Sequence, residues 1–333
     1  MKNKKYWENR SALRMYEYQK QADAVAVDIA KAYIKATNVI NAEVKRIFAA
    51  FQAHNGLSEA EARRLLKHAP NKITANSLKK LVSKIADPEK RAELAAVLES
   101  PAYAWRIGRL EALQENVDKW TDALAEQEQN RTKAHYSGLV KDAYTRTIFD
   151  IQKGVGFAFQ FADIPHSRIK QILRQNWSGA LFSKRIWGNS KDLNQKIMRE
   201  LLAGFLTGRS YRKTAKAIEE EMAVRAFEAR RLVRTESTYI ANQAELEGYK
   251  ECGIDKYRFL ATLDMRTSEM CAAMDGKVFE VSEAETGKNL PPLHPWCRST
   301  TTPEIDGKAE QGLKTRAARD PKTGKPYTVP ADM

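Results

Sequence analysis

Three side chains near the C-terminal end have the types and spacing for metal chemistry: Cys271, His294 and Cys297. Thiolate and imidazole are donors that suit zinc, which usually takes four of them. His294-x-x-Cys297 puts two donors on one Pro-bounded loop, so closure needs only that the turn carrying Cys271 approach it. Asp264 and Asp275 are the candidates for a fourth donor. The pattern departs from the Cys-x-x-Cys hook of structural zinc sites, because Ser268 stands where the first Cys would be. Two other readings fit the same residues. One is a Cys in a small core beside a His hydrogen-bonded to backbone. The other is a thiol nucleophile with a His base.

Around this set, Asp264, Arg266 and Thr267 follow a strand-like run, and an Asp–Arg pair there would pin the turn. Arg234 and Glu236 lie on a helix upstream, and Pro291–Pro292 stiffens the approach to His294. An Arg, a Thr-bearing strand and a Glu can also line an ADP-ribosyltransferase-like pocket, but no Glu-x-Glu stands where one is needed. There is no Walker-type glycine loop, no His-Glu-x-x-His and no Gly-x-Ser-x-Gly.

The chain of 333 residues carries a net charge of +14. Hydrophobic residues make up 43%, enough for a core, and charged residues 29%. No apolar run is long enough to span a bilayer, and no apolar segment follows the basic N-terminus as a secretory signal would require. Three cysteines argue against a disulfide framework and for synthesis in a reducing compartment. The charge is uneven: Asp163 to Lys216 holds twelve Lys/Arg against three Asp/Glu. Lys184, Arg185, Lys191, Arg209, Arg212 and Lys213 are the candidates for contacts to a polyanion such as DNA. Trp177, Phe182, Trp187 and Tyr211 lie among them, either as stacking platforms or as core.

The elements that must position these residues are mostly helices. From Tyr6 to Ala53 apolar residues recur every three or four positions, through Ala22, Ile29, Tyr33, Ile40, Ile47 and Phe51. That is one long helix with one stripe, which needs a second long helix, its own or a partner's. Asn55-Gly56 would end it. Ser58 and Glu61 form a capping box for a short helix to about His68, which Pro70 and Asn71 break. Another helix follows from about Asn76 to Ile85, and Asp87-Pro88 starts the next. A second long helix is expected from Pro101 to about Gln152, with a polar middle at Glu126 to Lys133 that is solvent-bridging or broken, and a kink at Gly138. It is similar in length to the first and would pair antiparallel with it. Phe157 to Phe161 alternates aromatics like a short strand. Helices are then expected over Ser167–Gln175, Asp192–Gly204, Ser210–Met222 and Ala226–Tyr249. Strands are expected near Lys256–Leu263, Lys277–Val281 and Arg298–Thr302. Beyond Ile305 the apolar content falls, and a poorly ordered tail is expected.

The predicted fold class is therefore α+β and predominantly α-helical, a long N-terminal helical arm or hairpin with a small mixed α/β C-terminal module. The expected divisions are 1–153, a basic helical region 154–225, a module 226–305 and a tail 306–333.

One set of spacings carries a family resemblance. Arg234-Thr-Glu236 with Tyr239 and Gly253 is followed by Asp264-x-Arg266-Thr267-x-x-x-Cys271, then Asp275-Gly276-Lys-Val-Phe279, then Pro291-Pro292-x-His294-Pro295-x-Cys297-Arg298. This resembles the Mu F-like head morphogenesis proteins, minor head proteins of tailed phages. Trp177-Ser-Gly-x-x-Phe-Ser-x-Arg185-Ile-Trp187 and the helix after Tyr6-Trp7 are similar to members from phages of Gram-positive hosts, so the likeness spans about residues 6 to 303. Many relatives have Cys-x-x-Cys where this chain has Ser268-x-x-Cys271. The resemblance implies a non-enzymatic minor capsid protein in the virion, inside the head near the portal, after assembly in the host cytoplasm. Implied partners are the portal protein, a scaffold or major capsid protein, and double-stranded DNA bound without sequence preference, with no membrane. Zinc is the one cofactor to consider. Relatives fused to toxin domains exist, and no such extension is expected after residue 305. The alternative is an enzyme built on the C-terminal module, a metal-dependent hydrolase or an ADP-ribosyltransferase.

Overall fold

A computed structural model describes residues 2–48, 57–68, 72–156, 158, 160–305, 315–319 and 326–330. Phe51, Asn55-Gly56, the Pro70-Asn71 break, and Phe157 and Phe159 of the aromatic run lie outside these residues.

The apolar stripe at the N-terminus becomes α1, Lys4–Phe48. Three shorter helices follow: α2 (Glu59–Leu65), α3 (Ala75–Val82) and α4 (Pro88–Glu99). Their starts are written locally. Ser58 and Glu61 complete the capping box, Thr74 and Ser77 make a second, and the Asp87 carboxylate accepts from the amides of Glu89 and Lys90. The second long helix, α5, runs Pro101–Val155 without interruption. Its polar middle is neither broken nor solvent-bridging, since Glu128 and Thr132 are buried. The helix also passes through Gly138.

The helices α6 (His166–Arg174), α7 (Phe182–Thr207) and α8 (Tyr211–Glu251) come next. The two helices expected over 210–249 are one. Ala223-Val-Arg225 contains no breaker, and Arg225 takes a buried ion pair where the apolar stripe lapses. Strands β1 (Lys256–Leu260), β2 (Val278–Glu280) and β3 (Thr300–Glu304) form an antiparallel sheet in the order β2-β1-β3. The short α9 (Glu269–Ala272) lies between β1 and β2 in sequence. Tyr257 and Phe259 of β1 alternate inward and are fully buried. The third strand starts two residues later than expected, because Arg298 is engaged outside the sheet. In the tail, β4 (Thr315–Arg319) and β5 (Pro326–Pro330) pair antiparallel, a pairing that the expected poorly ordered tail did not include.

Two compact units are built from interleaved stretches. Unit 1 gathers residues 1–26, 130–182 and 230–333, and unit 2 gathers 27–129 and 183–229. In unit 1, Arg10 and Arg14 of α1 both donate to Asp150 of α5, and Glu17 pairs with Arg146. Rising α1 numbers meet falling α5 numbers, so the pairing is antiparallel. Arg14 also reaches Glu245 of α8 at 3.3 Å, and Gln19 donates to Thr238 at 2.6 Å. Trp7 seats its indole on Gly154, where a Cβ would lie 2.0 Å from the ring. Gly156 then ends α5 with φ +83°, which glycine adopts without strain.

In unit 2, Tyr33 of α1 donates to Glu128 of α5 at 2.9 Å. Arg225 of α8 donates to both oxygens of that carboxylate, at 2.9 and 3.0 Å. Leu110, Leu113 and Val117 of α5 and Leu193, Ile197 and Leu201 of α7 are buried in this unit.

Candidate functional site

The site is assembled by unit 1 from two loops and one helix face. Along α8, Thr238, Asn242, Glu245 and Tyr249 recur at helical spacing and are all buried. Thr238 donates to the Cys297 carbonyl at 2.8 Å. Asn242 reaches the Ser299 carbonyl at 3.5 Å. Glu245 accepts from the Thr300 hydroxyl at 3.0 Å, and Tyr249 meets Thr301 at 3.1 Å. The helix thus holds the segment 297–301 at Cys297, Ser299, Thr300 and Thr301. Thr and Asn disfavour a helix interior unless their side chains find partners, and here the partners are the backbone just before β3.

The His294 loop is a tight turn. Its carbonyl accepts from the Cys297 amide at 3.2 Å, with Pro295 and Trp296 between. Trp296 has φ +66°, a left-handed conformation unusual for a bulky residue. Its amide donates to Thr235 at 3.1 Å, and the guanidinium groups of Arg230 and Arg234 lie over its ring at 6.0 and 5.7 Å. The turn brings His294 and Cys297 to the same side. Pro291 and Pro292, joined by a cis peptide, are both buried just before it.

Cys271 enters from the opposite loop, on α9. The Ser268 hydroxyl caps that helix, accepting from the Cys271 amide at 3.2 Å. Three donor atoms then meet. Cys271 Sγ lies 3.2 Å from His294 Nε2 and 3.6 Å from Cys297 Sγ, and all three lie within 4.8 Å of one another. Both cysteines are buried, and all three cysteines of the chain are free thiols. Ser268 Oγ is 2.8 Å from His294 Nε2. His294 Nδ1 lies 2.7 Å from the Pro295 carbonyl, which accepts its proton and leaves the Nε2 lone pair facing the thiols.

The two thiols titrate as a pair. Hydrogen bonding from Cys297 pulls Cys271 down to about 5, and Ser299, Ser268 and His294 act in the same direction against the cost of burial. Sharing that proton, with burial added, pushes Cys297 up. A thiolate is therefore available at neutral pH, which suits metal binding or nucleophilic chemistry.

The remaining candidates go elsewhere. Asp264 and Asp275 are not in the donor cluster. Asp275 accepts from the Ala261 amide at 2.8 Å. Asp264 receives both Nη groups of Arg298, at 2.5 and 2.6 Å, and the Arg266 amide at 2.8 Å. Those bonds hold its carboxyl well below the usual carboxylate range. The pair that pins this turn is thus Asp264–Arg298, partly exposed, and the Arg266 side chain points to solvent. Thr267 closes the turn, accepting from the Asp264 amide at 2.7 Å. Gly276, at φ +76°, donates its amide to the Phe259 carbonyl at 2.9 Å. Arg234 pairs with Asp23, and Glu236 is buried and accepts from Trp177 at 3.1 Å. Sequence reasoning missed Thr238, Asn242 and Glu245. The available signal was a row of polar residues at helical spacing on one face of a long helix.

The candidates for polyanion contact belong to unit 2. Lys184 and Lys191 on α7 and Arg212 and Lys213 in the first turn of α8 are exposed. Arg185 is half-buried. Arg209 is committed to Glu200 and Glu59, so it does not present a free cation. The aromatics are also engaged. Trp177 stacks on Tyr239 with centroids 5.2 Å apart, Phe182 meets Tyr136 edge-on, and Trp187 donates to Gln129.

Residues 195–302 match the family model described as phage Mu protein F like protein. Over these residues the chain is similar to the phage Mu F-like proteins. The match spans part of α7, all of α8, the three-stranded sheet up to Thr302 and the whole thiol–imidazole cluster. The chain is also 24% identical over 245 residues to the NAD(+)–arginine ADP-ribosyltransferase EFV of Enterococcus faecalis (strain ATCC 700802 / V583). That alignment covers 69% of this chain and 50% of the relative, so the chain spans about half the relative's length. No solved structure matches the chain.

Proposed function

We propose that this chain is a minor head protein of a tailed phage or prophage. The observation that carries the reading is the match of residues 195–302, the stretch in which the buried ladder of α8 holds the sheet and the cluster. In this role the protein lies inside the capsid near the portal. It contacts the portal protein and a scaffold or major capsid protein, and its contribution is assembly rather than catalysis. None of the described helices is long and apolar enough to cross a membrane. Lys184, Lys191, Arg212 and Lys213 supply exposed cations for packaged DNA, and phosphate contacts of that kind need no base recognition.

The test is mass spectrometry of purified virions, joined to co-purification of the full chain with the portal protein. The expected result is the chain in heads and a portal complex. Absence of the chain from wild-type heads, with normal heads after deletion of its gene, would overturn the reading. The DNA contact has its own measurement. Affinity should fall steeply with salt, and each Lys→Ala change at 184, 191 or 213 that removes a phosphate contact should reduce the salt slope by about 1. A flat salt response refutes it.

One observation favours a second reading, the similarity to an arginine ADP-ribosyltransferase. Half of that relative lies outside the alignment, and Arg234 and Glu236 of this chain are spent on Asp23 and Trp177. Incubating the full chain with NAD and an arginine acceptor separates the two. Transfer of ADP-ribose supports the enzyme, and no transfer by folded protein supports the structural role.

A further inference from the structure

The cluster in unit 1 has the donors of a zinc site, and its surroundings are arranged for one. A tetrahedral zinc with Zn–S at ~2.3 Å and Zn–N at ~2.0 Å sets sulfur–sulfur edges of about 3.8 Å and sulfur–nitrogen edges of about 3.5 Å. The observed separations, 3.6 Å between Cys271 and Cys297 sulfurs and 3.2 Å from Cys271 to His294, are within a few tenths of an ångström of those edges. Binding would require only a small outward relaxation.

The outer contacts point the same way. A ligating histidine commonly donates its other ring N–H to a carbonyl, which fixes the tautomer and aims the lone pair. His294 does this to Pro295 at 2.7 Å. The carbonyl of Cys297 is held by Thr238, which locks that ligand's backbone to a buried helix face. Trp296, at positive φ, closes the turn that carries two of the ligands. The chain accepts an unfavourable backbone conformation in order to present them together.

The fourth corner is where this site is unusual. Ser268 Oγ stands 2.8 Å from His294 Nε2 and accepts from the Cys271 amide, so it faces the cluster. A neutral serine hydroxyl is a far weaker zinc ligand than a thiolate. We propose that Cys271, His294 and Cys297 bind one zinc ion, with Ser268 or a water it holds at the fourth corner, making a three-ligand centre that joins the α9 loop to the His294 turn. Its affinity is set by Ser268, and its role is to fix the two loops. The inference does not depend on the chain's being a head protein.

The experiment uses the full chain, purified without chelator, with circular dichroism of each variant as a folding control. Elemental analysis should find about one zinc per chain. Cobalt substitution should give a thiolate-to-cobalt charge-transfer band together with the intense visible bands of a tetrahedral ion. Cys297→Ser should lose both. If Cys297→Ser fails to fold, wild-type protein stripped by chelator and titrated with cobalt reads the same site. The decisive variant is Ser268→Cys. It should fold, retain one zinc and resist a competing chelator at least about tenfold better, as a completed four-ligand set requires. Folded wild-type protein that takes up neither zinc nor cobalt overturns the proposal. So does metal uptake that survives Cys297→Ser in folded protein. An unchanged zinc affinity in Ser268→Cys overturns the assignment of the fourth corner.

Discussion

Helices α1, α5 and α8 bury an ion network in each unit, and the two networks are built differently. In unit 1 the network is Arg10, Arg14, Asp150 and Glu245, and Glu245 also accepts from Thr300 of the sheet. In unit 2 it is one carboxylate, Glu128, shared by Arg225 and Tyr33, with the guanidinium 5.7 Å from the tyrosine ring centroid. The first network links helices to a strand and, through that strand, to the segment that holds Cys297. The second, through Tyr33 and Arg225, links helices to each other. Arg225 Nε also finds no hydrogen-bond partner among the described residues. A buried ion pair is weak evidence of net stability, because desolvation offsets the attraction. It does restrict which register the helices can take. Unit 2 thus uses its pair to set helix register, while unit 1 uses its network to place a site.

The largest effect expected is in unit 1. Arg14→Met leaves Asp150 and Glu245 buried with only Arg10 nearby, and should cost about 3–5 kcal/mol in denaturant unfolding. Hydrogen exchange should then rise in 297–304 as well as in α1. Protection unchanged in 297–304 would break the claimed link from network to site. The next effect is steric. Gly154→Ala drives a methyl into the Trp7 indole and should cost about 1–3 kcal/mol, lowering Tm, with partial recovery in Trp7→Phe/Gly154→Ala.

Unit 1 also carries an acid-sensitive group. His135 meets Ser237 at 2.9 Å, and burial holds its ring down at about 4. Unfolded, the ring titrates near ~6.5. Between those values the unfolded chain takes a proton that the folded chain refuses. Stability is therefore full above about pH 6.5 and is lost as pH falls toward 4. The partly exposed ring limits this to on the order of 2 kcal/mol. His135→Gln should flatten that limb in a series of unfolding curves. An unchanged limb removes the assignment. The smallest effect is reserved for unit 2. Glu128→Met/Arg225→Met should leave stability within about 1 kcal/mol of the parent or raise it, whereas Arg225→Met alone should be clearly destabilising. A large loss in the double variant would show that the two networks do the same work.

Much of the fold is readable in the residues because it is local. The stripe through Ile29, Tyr33 and Ile40, the caps at Ser58 and Asp87, and the alternation of Tyr257 and Phe259 each specify an element through neighbours a few positions away. The join across 223–225 was illegible for the opposite reason. Arg225 looks like a solvent-facing residue until Glu128, far away in sequence, is placed against it. The same holds for Glu128 in the polar stretch of α5. At the site, His294-x-x-Cys297 is a local turn and visible as such, while the exclusion of Asp264 and Asp275 follows from Arg298 and the Ala261 amide, which no spacing announces.

Residue order alone determined that the chain is mainly helical, that a small sheet follows, and that two thiols and an imidazole fall within one short module. Propensity, periodicity and turn chemistry act over a few residues and need no partner. Tertiary structure decided which donors meet, that Ser268 faces them, and which buried charges are compensated. Those outcomes depend on distances between groups far apart in sequence, and only packing sets such distances.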